Sequence, residues 1–311
     1  MTLFLREKEV EGLLTPGDAL EAVEGSFRRL ARGVVDNRTR TRQRLEDGQY
    51  AVMACVDPEL GYAGLKSYAW TETGTPFVVL LFSLAEPTRL AAVIEADTLG
   101  RLRTGAASGV AARYLARREA ASLGVIGCGR QAASQIACIR AALPALERVV
   151  AYCRSPERLT DFCRANDCEP AELHRDAADA DIVVTATTSK DPVLRGEWLR
   201  EGALVCAVGA NDPTHRELDN AVLERASFVC CDSRAQSLEE SGDLIEPVQA
   251  GVLDWLEVHE LQDVVSGEIQ GRASPEDIVL FKSNGMAAWD LAVGARVLEL
   301  ACERSVGTEL D

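Results

Sequence analysis

The run Ala121-Ser122-Leu123-Gly124-Val125-Ile126-Gly127-Cys128-Gly129-Arg130-Gln131-Ala132 constrains the fold more than any other stretch. A short apolar strand pattern ends in Gly-x-Gly-x-x-Ala, and a helical stripe through Ile136, Ile139 and Leu143 follows at once. Strand, glycine turn and helix in that order are the context that gives such a motif meaning. Gly127 permits the tight turn, Gly129 leaves room for a pyrophosphate, and Ala132 lets the helix approach a sheet. Arg130 and Gln131 then open a helix whose free N–H groups and dipole favour phosphate. These residues are candidate contacts to a dinucleotide.

The next strand, Arg148–Arg154, bears on which dinucleotide. A site that prefers NAD usually carries Asp or Glu after this strand, to hold the ribose hydroxyls. Here the strand ends Val150-Ala151-Tyr152-Cys153-Arg154-Ser155, without an acid. Arg154 and Ser155 are donors that suit a 2′-phosphate, so NADP(H) is the expected cofactor and NAD(H) a usable one. The plainer alternative makes Arg154 a surface residue stacked on the adenine. No Walker lysine loop is present, which argues against ATP.

From 119 to 283 apolar strands alternate with helices, at Leu123–Ile126, Arg148–Arg154, Asp181–Thr187, Leu204–Val208, Phe228–Cys231 and Ile278–Phe281. That alternation predicts a Rossmann-type α/β domain with a doubly wound parallel sheet. Its ligands bind at the carboxyl ends of strands, where Thr187, Gly209, Asn211 and Ser283 fall. Before it lie strand patterns at Tyr50–Val56, Ala63–Trp70, Phe77–Phe82 and Ala91–Ile94, with a turn at Thr73-Gly74-Thr75-Pro76. Residues 1–118, joined by a last helix within 284–311, therefore form a mixed, mostly antiparallel α+β domain. Ser241–Gly267 reads as acidic, interrupted helix.

The net charge of −16 argues against a nucleic-acid surface, which needs a basic patch. The ten cysteines lack zinc spacing, and the three histidines are scattered, so no metal site is expected. Most cysteines lie in apolar runs, as in a reduced, cytoplasmic protein. No window is long and apolar enough to span a membrane. Local basic residues can still hold a small anion. Arg38, Arg40, Arg42 and Arg44 alternate along a strand-like stretch, which would place them on one face. Lys66 lies inside an apolar strand, where its stem could pack while its head reaches water. Arg103 and Thr104 open a small-residue helix running to about Arg117, whose N-terminus would attract anions between the domains.

Taken together, these residues resemble the ornithine cyclodeaminase/mu-crystallin family. The matching stretches are Gly61–Lys66, Leu102–Ala107, Gly127–Ala132, Val208–Ala210, Arg216–Asp219, Ser241–Asp243 and Phe281–Met286. The resemblance implies an NAD(P)-dependent oxidoreductase acting on a small amino, imino or 2-oxo acid. It also implies a homodimer, with the antiparallel domain at the subunit interface. By the same resemblance Arg103 grips the substrate carboxylate, and Lys66 sits near the imine or carbonyl. Arg38 matches the second basic residue, with Arg40 as the alternative, and Thr104 joins the cofactor contacts. Cyclodeaminases of the family carry Asp where this chain has Asn211, which turns the expectation towards imine reduction or amino-acid dehydrogenation. A true cyclodeaminase with recycled NAD, and a non-catalytic NADP-binding protein of mu-crystallin type, are the alternatives.

Overall fold

The computed structural model describes residues 2–71, 74–85 and 88–310. Thr73, in the turn expected at 73–76, lies outside them. Strand β1 (Thr2–Leu5) and helices α1 (Glu7–Leu13) and α2 (Pro16–Ala31) come first. A meander follows: β2 (Asp36–Asn37), β3 (Thr41–Leu45), β4 (Gly48–Asp57), β5 (Tyr62–Thr71), β6 (Phe77–Ser83) and β7 (Arg89–Glu95). Helix α3 (Asp97–Leu115) leads into β8 (Ser122–Ile126), α4 (Arg130–Ala142), β9 (Arg148–Tyr152), α5 (Pro156–Asn166) and β10 (Glu169–Pro170). Then come α6 (His174–Ala178), β11 (Ile182–Thr185), β12 (Leu204–Ala207), α7 (Asn220–Arg225) and β13 (Ala226–Cys231). Helices α8 (Arg234–Glu240) and α9 (Gly242–Gln249), β14 (Val258–Glu260), α10 (Leu261–Ser266), β15 (Ile278–Lys282), α11 (Ala287–Arg304) and β16 (Thr308–Leu310) complete the chain.

The chain divides into two compact units, one holding residues up to Arg103 and from Gly285 onward, the other Thr104–Asn284. The crossing falls inside α3, earlier than the boundary expected after residue 118. Beyond Thr104 the helix is tied to the second unit. The Leu115 carbonyl accepts from Arg272 Nε at 2.7 Å.

In the first unit the strand order is β16-β1-β7-β6-β5-β4-β2, with β3 also on β4. Only β1 and β7 run parallel among these neighbours. Thr15 caps α2, Pro16 starts it, and Ala19, Leu20, Val23 and Phe27 form its buried stripe. Helix α11 packs against α2, β4, β5 and β6 and is buried on most sides, as its nearly continuous apolar sequence requires. On the sheet, register lines up Met53, Lys66, Val79 and Ile94 in one row across β4 to β7. All four are buried, so strand alternation alone carries Lys66 into the core.

The second unit is a parallel sheet in the order β10-β9-β8-β11-β12-β15-β13-β14. Its strands are nearly continuous apolar runs, as burial on both faces demands. Strand β14 adds to this sheet inside the stretch expected to be helical, since Val258 is buried and pairs with Val229.

Two local expectations change. The arginine strand is broken, because β2 ends at Asn37 and β3 begins at Thr41. Only Arg42 and Arg44 share a strand, and of the four arginines only Arg40 is buried. Helix α3 starts at Asp97, so Arg103 and Thr104 lie well inside it and not at its N-terminus. The N–H groups of Asp97 and Thr98 are already taken by the Glu7 carboxylate, at 3.0 and 2.7 Å. The dipole therefore plays no part in what Arg103 binds.

Candidate functional site

In the first unit, Lys66 of β5 and Arg103 of α3 meet at one carboxylate. Lys66 Nζ and Arg103 Nε each lie 3.1 Å from Asp290 Oδ1, on the first turn of α11. All three side chains are buried. Asp290 Oδ2 is buried too, without a hydrogen-bond partner among the described residues. The Arg103 guanidinium sits 5.8 Å from the Trp289 ring centre, and Lys66 Nζ sits 5.0 Å from that of Phe77. These ring faces attract cations and exclude water from them.

Burial pushes the Lys66 amine down to about 8, and the charges of Arg103 and Arg40 add to the fall. Asp290 opposes it by favouring the charged form. Arg40 is thus the second arginine at Lys66. Arg38 is exposed, with Nε 2.8 Å from Asp36 Oδ1. Of the two arginines expected as the second basic residue, Arg38 stands at the surface and Arg40 is buried. The Lys66 head does not reach water, because strand alternation aims it under α11. Lys66 and Arg103 on one carboxylate leave net positive charge in a dry place, which suits a bound anion.

In the second unit, Gly127 adopts φ +122° after β8, a conformation that side chains rarely tolerate. A Cβ there would also stand 2.4 Å from the Ala186 carbonyl oxygen. The turn is held to the neighbouring strands, with Gly127 N–H donating to the Tyr152 carbonyl at 2.8 Å. Gly129 caps α4, has no side chain to occupy the first-turn donors, and has open space where a Cβ would stand. That cradle fits a pyrophosphate on the donors of Arg130 and Gln131. Arg130 is exposed and Gln131 half-buried.

Arg154 is exposed just beyond β9, close enough for its charge to help lower the pKa of His174, after burial. Ser155 caps α5 and accepts from Arg158 N–H. Thr187 follows β11, and its N–H and hydroxyl both donate to Glu217 Oε1. Gly209 N–H, after β12, donates to Glu217 Oε2 at 2.7 Å. Asn211 is exposed, while Asp212 turns to the N–H and hydroxyl of Thr214. Burial alone would raise the Asp212 pKa, but bonds from Thr214 and His215 hold it low. The Ser283 hydroxyl, at the end of β15, donates to Asp232 Oδ2 at 3.1 Å. Thr104 is buried within α3.

The structure thus gathers Lys66, Arg103 and Arg40 in the first unit and leaves Arg38 outside. In the second it sets Gly127, Gly129, Thr187, Gly209 and Ser283 after parallel strands. Asp290 and Glu217 carry much of this geometry and had no assigned role in the sequence. An acid inside the apolar run Ala287-Ala288-Trp289-Asp290-Leu291-Ala292-Val293 was the available sign of the first. Among the described residues no group of three or more His, Cys, Asp or Glu could hold a metal ion. Nor is any helix among them long and apolar enough to cross a membrane.

A model of the ornithine cyclodeaminase/mu-crystallin family matches residues 1–305. Alanine dehydrogenase of Archaeoglobus fulgidus is 34% identical, over 99% of this chain and 98% of its own length. The structure is similar to Δ1-pyrroline-2-carboxylate reductase of Thermococcus litoralis in complex with NADH and L-proline. The TM-score is 0.93 and the identity 30%, covering 99% of this chain and 100% of that one. It is also similar to iminosuccinate reductase of Paracoccus denitrificans in complex with NAD+. There the TM-score is 0.91 and the identity 32%, covering 100% and 99%.

Proposed function

Since the chain belongs to the ornithine cyclodeaminase/mu-crystallin family, we propose that it is an NAD(P)-dependent oxidoreductase that interconverts a small 2-imino acid and its amino acid. The observation that carries this reading is the buried pair of Lys66 and Arg103 on one oxygen of Asp290, two cations on one carboxylate. Its excess positive charge takes the substrate carboxylate. Arg103 supplies the guanidinium fork, which matches two oxygens where a lysine offers a point charge. Lys66, with an amine near 8, holds a proton at neutral pH and gives it up readily. It directs that proton towards the imine nitrogen. Asp290 keeps both cations in register and keeps Lys66 charged. Fixing the substrate this way supplies much of the rate, because the reacting carbon is held in one orientation.

The cradle at Gly127–Gln131 holds the cofactor pyrophosphate, with Thr187, Gly209 and Ser283 beyond it. When bound, NAD(P)H supplies the hydride equivalent. The relatives compared above carry NADH or NAD+. In this chain Arg154 is exposed after β9, with Ser155 beside it and no acid in that turn, so NADPH is the favoured form. Arg154→Asp should shift the ratio of kcat/KM towards NADH by about tenfold, through loss of one charge-assisted bond. Equal use of both forms in the parent, unchanged by the substitution, sinks this preference.

The decisive experiment is a panel of 2-oxo acids with ammonia or methylamine, plus cyclic imines, followed by loss of NADH and NADPH absorbance. Turnover of at least one imino acid is expected, with no proline formed from ornithine on catalytic NAD. If no member of the panel is reduced although dinucleotide binds, the chain is a binding protein and the enzymatic reading fails.

We infer that a second copy packs against the first unit. The sheet face away from α11 carries Val52, Val56, Leu65, Leu80 and Phe82 half-buried or exposed, an apolar surface of the kind that marks an interface. Sedimentation at micromolar concentration should report a dimer, and a monomer there removes this assignment.

A further inference from the structure

Resting on the cofactor reading above, the geometry points to Glu217 as a positioning residue that fixes the floor under the nicotinamide half of the dinucleotide. Glu217 is fully buried between the ends of β11 and β12. Its Oε1 accepts from Thr187 N–H at 2.7 Å and from Thr187 Oγ1 at 2.8 Å. Its Oε2 accepts from Gly209 N–H at 2.7 Å, Ala210 N–H at 3.2 Å and Thr185 Oγ1 at 3.0 Å. One carboxylate therefore ties together the two loops that leave adjacent parallel strands. The loops come close enough that a Cβ on Gly209 would stand 2.3 Å from the Thr187 carbonyl oxygen and 2.5 Å from Glu217 Oε1.

Glu217 is itself held by a closed circuit. Asp243 Oδ1 accepts from the N–H groups of Glu217 and Leu218, at 2.7 and 3.0 Å. Lys282 Nζ lies 2.9 Å from Asp243 Oδ2 and donates to the Ala210 carbonyl at 2.6 Å, which returns to the loop after β12. Lys282 and Asp243 are fully buried, so the circuit is dry and stiff.

Topology says which half of a dinucleotide rests here. The chain runs from β8 outward to β9 and β10, then returns to place β11 and β12 on the other side of β8. In such a sheet the ligand lies across the reversal, one mononucleotide half on each side. Arg154 and Ser155 follow β9, on the adenosine side. The loops held by Glu217 follow β11 and β12, on the nicotinamide side.

The test compares whole dinucleotide with half of it. NADPH, NADH and ADP are titrated into the wild-type protein, Glu217→Gln and Thr185→Val. ADP carries the adenosine and phosphates alone. The amide of Glu217→Gln keeps one acceptor and turns an NH2 towards N–H donors, so dinucleotide affinity should fall about tenfold or more. ADP affinity should stay within about twofold, because Gly127–Gln131 is untouched. Thr185→Val removes one donor from a near-isosteric, buried position away from the ligand. Its loss of dinucleotide affinity should be smaller, about threefold, and it keeps the test open if Glu217→Gln does not fold. Unchanged dinucleotide affinity overturns the proposal. So does an equal loss for ADP, which would make Glu217 a support of the whole unit. A wild-type protein that binds neither NADPH nor NADH overturns the cofactor reading, and this one with it.

Discussion

The carboxylate at Asp290 and the carboxylate at Glu217 are both buried, yet they are completed in opposite ways. Asp290 has two cations on a single oxygen and none on the other, with a third cation, Arg40, near enough to act on Lys66. Glu217 has donors on both oxygens and a second carboxylate and a lysine behind it. The first arrangement is unfinished, with charge left over and acceptor capacity unused. At Glu217 both carboxylate oxygens are filled by donors from the loops after β11 and β12 and from Thr185. An unpaired buried charge is costly, so an unfinished cluster persists where a ligand completes it, while a closed one serves to hold backbone.

The largest effect should come from removing the leftover charge. Arg103→Ala should lower kcat/KM for imine reduction by more than about a hundredfold, and Arg103→Lys by about ten- to hundredfold, with NADPH affinity nearly unchanged. Loss of cofactor binding in Arg103→Ala, with normal substrate dependence, would make Arg103 a phosphate ligand and break the contrast.

Asp290→Asn should act next, through the pH profile. The lysine amine stands near 8 with Asp290 opposing the fall. Charged Lys66 is the active form for reduction, so kcat/KM declines above about pH 8 in the parent as the proton leaves. Removing the negative neighbour disfavours the ammonium, so the limb should move about one to three units lower. A limb that stays in place would show that Asp290 does not govern Lys66.

The smallest effect sharpens the choice between two arginines. Arg38 is exposed and paired with Asp36, so Arg38→Ala should change kcat/KM by no more than about twofold. Arg40→Ala should raise KM about tenfold or more, because a buried charge that acts on Lys66 is lost. The reverse order would restore Arg38 to the site.

Much of this protein is determined by local pattern. Gly-x-Gly-x-x-Ala between an apolar strand and a helical stripe specifies the cradle, because turn and helix start are made by neighbouring residues. Alternating apolar strands and helices specify the parallel sheet, and period-two alternation places Lys66 on a buried face. What local pattern cannot decide is which distant group arrives. Glu7 occupies the start of α3 from ninety residues away, so the helix begins at Asp97 and Arg103 sits in its interior. Asp290 reaches Lys66 and Arg103 only because α11 folds back over the sheet. Arg40 is buried and Arg38 exposed because the strand breaks between β2 and β3. Lys282 and Asp243 find Glu217 only through three separate chain segments. Charge pairing depends on position in space over a few ångströms, and sequence distance carries no record of it.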